Sequence, residues 1–139
     1  MDKIPLVESQ INEGKRLAEE LVKEGFPVTA ALWLTTDEDG QWYFYIVSPL
    51  VETSGAKAYR RFNEILRQMS PPSDLSMFDY KIIGPDRSVA QAARAIKKLH
   101  AGKGGFYFGG GGVQLPGRSI EGVYLYPSSP TVSAGRTSE

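Results

Sequence analysis

Residues 112–119 read GVQLPGRS, one substitution away from the phosphate-cradling loop GxxxxGK[ST], with Arg118 where the lysine would stand. Such a loop works because curled backbone N–H groups and the dipole of the helix that follows both face the phosphates. Here SIEGVYLYP follows, in which Val123 and Leu125 alternate with Tyr124 and Tyr126. That is strand patterning ended by proline, and no magnesium-binding acid accompanies it. The motif therefore argues against nucleotide hydrolysis. Eight glycines between positions 102 and 117 still make an unusual loop. Its backbone N–H groups, with Lys103 and Arg118, are candidate binders of a small anion or an acidic peptide end.

Other reactive arrangements are thin. Ser54-x-x-Lys57 has the spacing of serine acyl-enzymes, but a serine at that place equally caps a helix. His100 is the only histidine, and there is no cysteine, so a zinc site would rest on carboxylates and a serine–histidine–acid triad on that one residue. Beside Lys97 and Lys98, His100 suits the negative end of a helix dipole. DEDG at 37–40 lacks the later ligands of a calcium loop and reads as a hairpin turn. The expectation is that the chain has no catalytic residues, metal or cofactor.

Tyrosines form the most informative pattern. In QWYFYIVS, Trp42, Phe44 and Ile46 alternate with Tyr43, Tyr45 and Val47. Phe106 and Phe108 flank Tyr107, and Val123 and Leu125 oppose Tyr124 and Tyr126. This predicts one aliphatic, phenylalanine-rich sheet face and one phenolic face, with Trp33 joining the latter because Leu32 and Leu34 point the other way. The phenolic face, Trp33, Tyr43, Tyr45, Tyr107, Tyr124 and Tyr126, needs a cover: a helix, a second subunit or a ligand. Two function classes follow. The first is a non-catalytic protein-interaction or self-association module, forming a homodimer or a complex. The second, disfavoured, is a single-stranded nucleic-acid binder that stacks bases on the rings and meets phosphates through Arg60, Arg61, Arg67, Lys97, Lys98, Lys103 and Arg118.

The elements that must position these residues follow from periodicity. Apolar positions at helical steps predict helices over 7–25, after Ser54 up to Pro71, and over 88–101. Strands are predicted at VTAALWLTT, QWYFYIVS, around Tyr80 and Ile82, at FYF and at IEGVYLY. The order is αββαβαββ, an α+β fold with a two-layer, mainly antiparallel sheet of about five strands and three helices. Residues 1–126 are expected to form one domain. PSSPTVSAGRTSE, 127–139, reads as a flexible tail.

Composition bounds the rest. The chain has 139 residues, 41% hydrophobic and 23% charged, the proportions of a globular domain. Sixteen basic and sixteen acidic residues cancel, which weakens the case for a polyanion partner. No apolar run approaches the ~20 residues of a membrane span, and the N-terminus does not read as a secretory signal. The expected location is the cytoplasm, with no membrane association.

Overall fold

In a computed structural model the described residues are 6, 8–37, 40–71, 73, 79–99, 103–108 and 115–126. The predicted tail, His100 and the glycines at 109–112 lie outside them.

The fold is α+β, and the elements come in nearly the expected order: α1 (Glu8–Lys23), β1 (Ala30–Thr36), β2 (Tyr43–Val47), α2 (Leu50–Thr53), α3 (Gly55–Gln68), β3 (Tyr80–Ile83), α4 (Ser88–Leu99), β4 (Gly105–Phe108) and β5 (Ile120–Leu125). The addition is α2, a single turn between the second strand and the helix expected after Ser54. The five strands form one sheet in the order β3-β2-β1-β5-β4. Three of the four pairings are antiparallel; only β2–β3 is parallel, because α2 and α3 carry the chain back across the sheet.

Local chemistry sets the helix boundaries. Ser54 Oγ accepts the backbone N–H of Lys57 at 3.2 Å, so it is the N-cap of α3 and has a structural task. Gly25, at φ 84°, closes α1 while the N–H of Phe26 returns to the carbonyl of Leu21 at 2.8 Å. Arg61 on α3 donates to the carbonyl of Glu24 at 3.2 Å, which ties the two helices together.

The layering departs from expectation: helices cover both faces, making three layers where two were predicted. Leu17, Ala18 and Leu21 of α1, with Ala58, Phe62 and Ile65 of α3, pack on Trp33, Phe44, Ile46, Tyr80, Ile82 and Tyr126. Val89, Ala92, Ala93 and Ile96 of α4 pack on the opposite face, against Leu32, Leu34, Tyr45, Val47, Val123 and Leu125. Strands with two apolar faces need a layer on each side. Alternation shows that both faces are greasy without telling what greases against them.

Candidate functional site

The predicted phenolic face does not exist as one surface. Cross-strand partners share a face, and Trp33 pairs with Phe44 on one side and Tyr124 on the other, while Leu32 pairs with Tyr45 and Leu34 with Tyr43. Tyr107 pairs with Val123, and Phe106 with Tyr124. Trp33, Tyr124 and Tyr126 thus lie on the α1/α3 side, and Tyr43, Tyr45 and Tyr107 on the α4 side. Alternation within a strand assigns its two faces but cannot say which matches which across strands; register does that.

Three of these six rings are also sealed within the chain's own core, and Tyr43, Tyr107 and Tyr124 are half-buried. Trp33 is fully buried, and Tyr45 and Tyr126 nearly so. The Trp33 indole N–H donates to the Tyr126 hydroxyl at 3.0 Å, and that hydroxyl donates to the Ile11 carbonyl of α1 at 2.8 Å. These two rings anchor α1 to the sheet. On the other face Lys81 Nζ stands 4.7 Å from the centre of the Tyr43 ring, and the Tyr107 hydroxyl donates to the Lys103 carbonyl at 2.8 Å.

Lys103 precedes Gly105, which lies opposite Leu125, whereas Arg118 precedes Ile120, near the end where Phe108 meets Gly122. The glycines at 109–112, whose backbone N–H groups were to complete an anion site with these two side chains, lie outside the described residues. Residues 115–118 form a tight turn, with Gly117 at φ 72° and the Arg118 N–H on the Leu115 carbonyl at 3.3 Å. The turn leads into β5, not into a helix. Among the described residues no group of three or more histidine, aspartate or glutamate side chains could hold a metal ion, and no helix is long and apolar enough to cross a membrane.

What the structure does assemble is an aromatic patch at the β4 end of the sheet. Phe108 is 76% exposed and Phe106 43%, on a strand that among the described residues has a neighbour on one side only. Their rings are parallel within 3°, centroids 6.0 Å apart. Phe106 meets Tyr124 edge-on at 4.9 Å and Trp42 at 6.2 Å. From Tyr124 the contacts run inward to Tyr126, at 5.1 Å, and to Phe44, so the patch is the outer end of a seam of rings reaching the core. Neither Phe106 nor Phe108 belongs to the core cluster beneath α1 and α3.

Alternation assigned the phenylalanines to one face with Phe44, Val123 and Leu125; register keeps Phe106 and Phe108 on the face of Phe44 but sets them beside Tyr124, with Val123 and Leu125 on the other face. The missed signal was the shortness of GFYF between glycines: four residues with no following helix suit the margin of a sheet.

Beneath Trp42 the sheet is bare. A Cβ on Gly122 would stand 2.9 Å from Trp42 Cη2, so the indole lies against the backbone of β5. Thr35 of β1 pairs with Gly122, and among the described residues its buried hydroxyl has no hydrogen-bond partner. Losing an unpaired hydroxyl while keeping the branched shape is favourable. Thr35→Val is therefore expected to raise unfolding stability by about 1 kcal/mol, read from denaturant midpoints. A loss of stability would mean that the hydroxyl is paired.

Compared with known protein families, with curated proteins and with solved structures, the chain matches none.

Proposed function

We propose that the chain is a non-catalytic protein-interaction module that engages another polypeptide through the aromatic patch of Trp42, Phe106, Phe108 and Tyr124. The reading rests on one observation: two phenylalanine rings stand exposed, side by side, at one margin of a sheet in which Trp33, Phe44, Tyr45, Tyr80 and Tyr126 are buried. Leaving Phe108 in water forfeits about 1.5–3 kcal/mol of burial, and aromatic anchors of this kind dominate interface energetics. The face first expected to bind is replaced in this reading by the β4 margin, with Tyr124 the member common to both.

Stacked rings on a sheet could also receive the bases of a single strand. The polypeptide reading is preferred because no charged side chain lies within β4 and the whole chain is electrically neutral. A photo-crosslinking residue, benzoylphenylalanine, placed at position 108 of the full chain in cells distinguishes the two. Expected are polypeptide adducts at 108 that are absent when the same group replaces Lys98, exposed on α4. Adducts sensitive to nuclease, or equal adducts at both positions, would overturn the reading.

A further inference from the structure

Trp42, Thr35, Gly122 and Phe108 form one row across the sheet, on the face that carries Trp33 and Phe44. Thr35 pairs with Gly122, and Gly122 with Phe108. Leu34 pairs with Tyr43, so Trp42 stands next along, beside Thr35. Strand β1 lies between β2 and β5, yet the tip of the Trp42 indole rests on Gly122. The ring therefore crosses over Thr35. It fits there by shape and not by polarity: Thr35 is 3% exposed, and among the described residues its hydroxyl has no hydrogen-bond partner. A buried hydroxyl left unpaired is unfavourable, and valine would fill the same space without that cost.

We infer that the Trp42 indole is the movable cover of a slot, floored by Thr35 and Gly122 and walled by Phe108, that receives a tyrosine ring of the bound polypeptide, with its phenol on the Thr35 hydroxyl. This deepens the reading proposed above and rests on it. The slot already holds a flat ring against bare backbone, so its occupant is planar. No residue of the row is charged, and an unpaired charge buried there would be strongly unfavourable, so the occupant is neutral. A phenylalanine ring would leave the Thr35 hydroxyl as it stands, and an indole in this place leaves it unpaired, as Trp42 does. A phenol both donates and accepts, as a threonine hydroxyl does, so the two can pair in either sense. Tyrosine is also among the residues that anchor interfaces most strongly.

The two tryptophans differ in what holds them. Trp33 is fully buried and its N–H is fixed on the Tyr126 hydroxyl. Trp42 is half-buried, precedes the first residue of β2, and meets Phe106 edge-on at 6.2 Å, a contact a ring can break and remake. Displacing it exposes the one buried hydroxyl that gains a partner by the exchange. The need to move the cover lowers the apparent affinity of the slot by the fraction of time it stands open.

Amide and indole NMR of the purified full chain, titrated with p-cresol to represent a tyrosine side chain and toluene to represent phenylalanine, tests the inference. Both probes are expected to move the Trp42 indole N–H and Gly122 amide signals and to leave the Trp33 indole signal in place. Thr35→Val should weaken p-cresol roughly three- to tenfold and leave toluene within about twofold. Trp42→Ala should bind p-cresol more tightly than wild type, because no ring has to leave. Circular dichroism confirms that each variant is folded. An unmoved Trp42 signal, p-cresol held equally by Thr35→Val and wild type, or weaker binding by Trp42→Ala overturns the slot. Any of these results together with polypeptide adducts at position 108 would refute the tyrosine anchor and leave the interaction module standing.

Discussion

Gly14→Val is expected to lower unfolding stability by about 3 kcal/mol and to loosen α1 from the sheet. A Cβ at position 14 would overlap Tyr126 Oη and stand 2.9 Å from Trp33 Nε1 and 3.0 Å from Phe44 Cε1. None of those atoms is the loose end of a flexible chain; Trp33 and Phe44 are fully buried and the Tyr126 hydroxyl is held from two sides. Overpacking of a filled core costs about 1–3 kcal/mol. Pushing Tyr126 aside also strands the indole N–H, a further ~1–3 kcal/mol. The gain from replacing glycine inside a helix, at most about 1 kcal/mol, does not compensate. Thermal or urea unfolding checks the value, and a variant within ~1 kcal/mol of wild type would show that α1 does not sit this close.

Tyr126→Phe is expected to cost about 2 kcal/mol near neutral pH, because the ring stays while the acceptor of the Trp33 N–H disappears. Its pH dependence is the more telling readout. Burial drives the Tyr126 hydroxyl well above the ordinary tyrosine value of about 10; the Trp33 hydrogen bond offsets a little of this and Tyr124 adds to it. Burial, then the neighbouring Tyr59, pushes Tyr80 up as well. A raised value means that the folded protein holds its proton more tightly than the unfolded chain does. The contribution is therefore whole below about pH 10 and declines as pH climbs from there toward the folded value. Wild type should lose stability steeply in this alkaline range. Tyr126→Phe should lose it less steeply, with Tyr80 supplying the remainder. Equal alkaline slopes would contradict the burial of this hydroxyl.

Much of the fold was legible because it is written in local patterns. Ser54 before GAKAYRRF names a cap, the Gly25–Pro27 stretch ends a helix, and alternation around Phe44 and Tyr80 marks strands. Register was not legible. Nothing in QWYFYIVS states whether Trp33 will stand beside Phe44 or Tyr43, and a one-residue difference exchanges the faces. The tyrosines consequently looked like one surface when they are two, with Tyr45 and Tyr126 buried and the others half-buried. The same gap hid the patch that is exposed. Phe106 and Phe108 share a face with the buried Phe44, and only their place at the margin, a property of strand order, leaves them in water.

Trp33 and Tyr126 also show why a row of aromatics is a poor guide to binding by itself. Their polar tips satisfy each other and then Ile11, so their partner lies within the same chain. Phe106 and Phe108 have no polar tip to satisfy. Their exposure is unrelieved apolar area, the kind of surface that association covers.

Because the chain has no cysteine, a single introduced thiol reports unambiguously on the exposure that carries the proposed function. Phe108→Cys should react with a water-soluble maleimide about as fast as Lys98→Cys, whereas Ala58→Cys, buried on the inner side of α3, should stay protected while the chain is folded. Protection of Phe108→Cys to the level of Ala58→Cys would contradict the exposed aromatic patch.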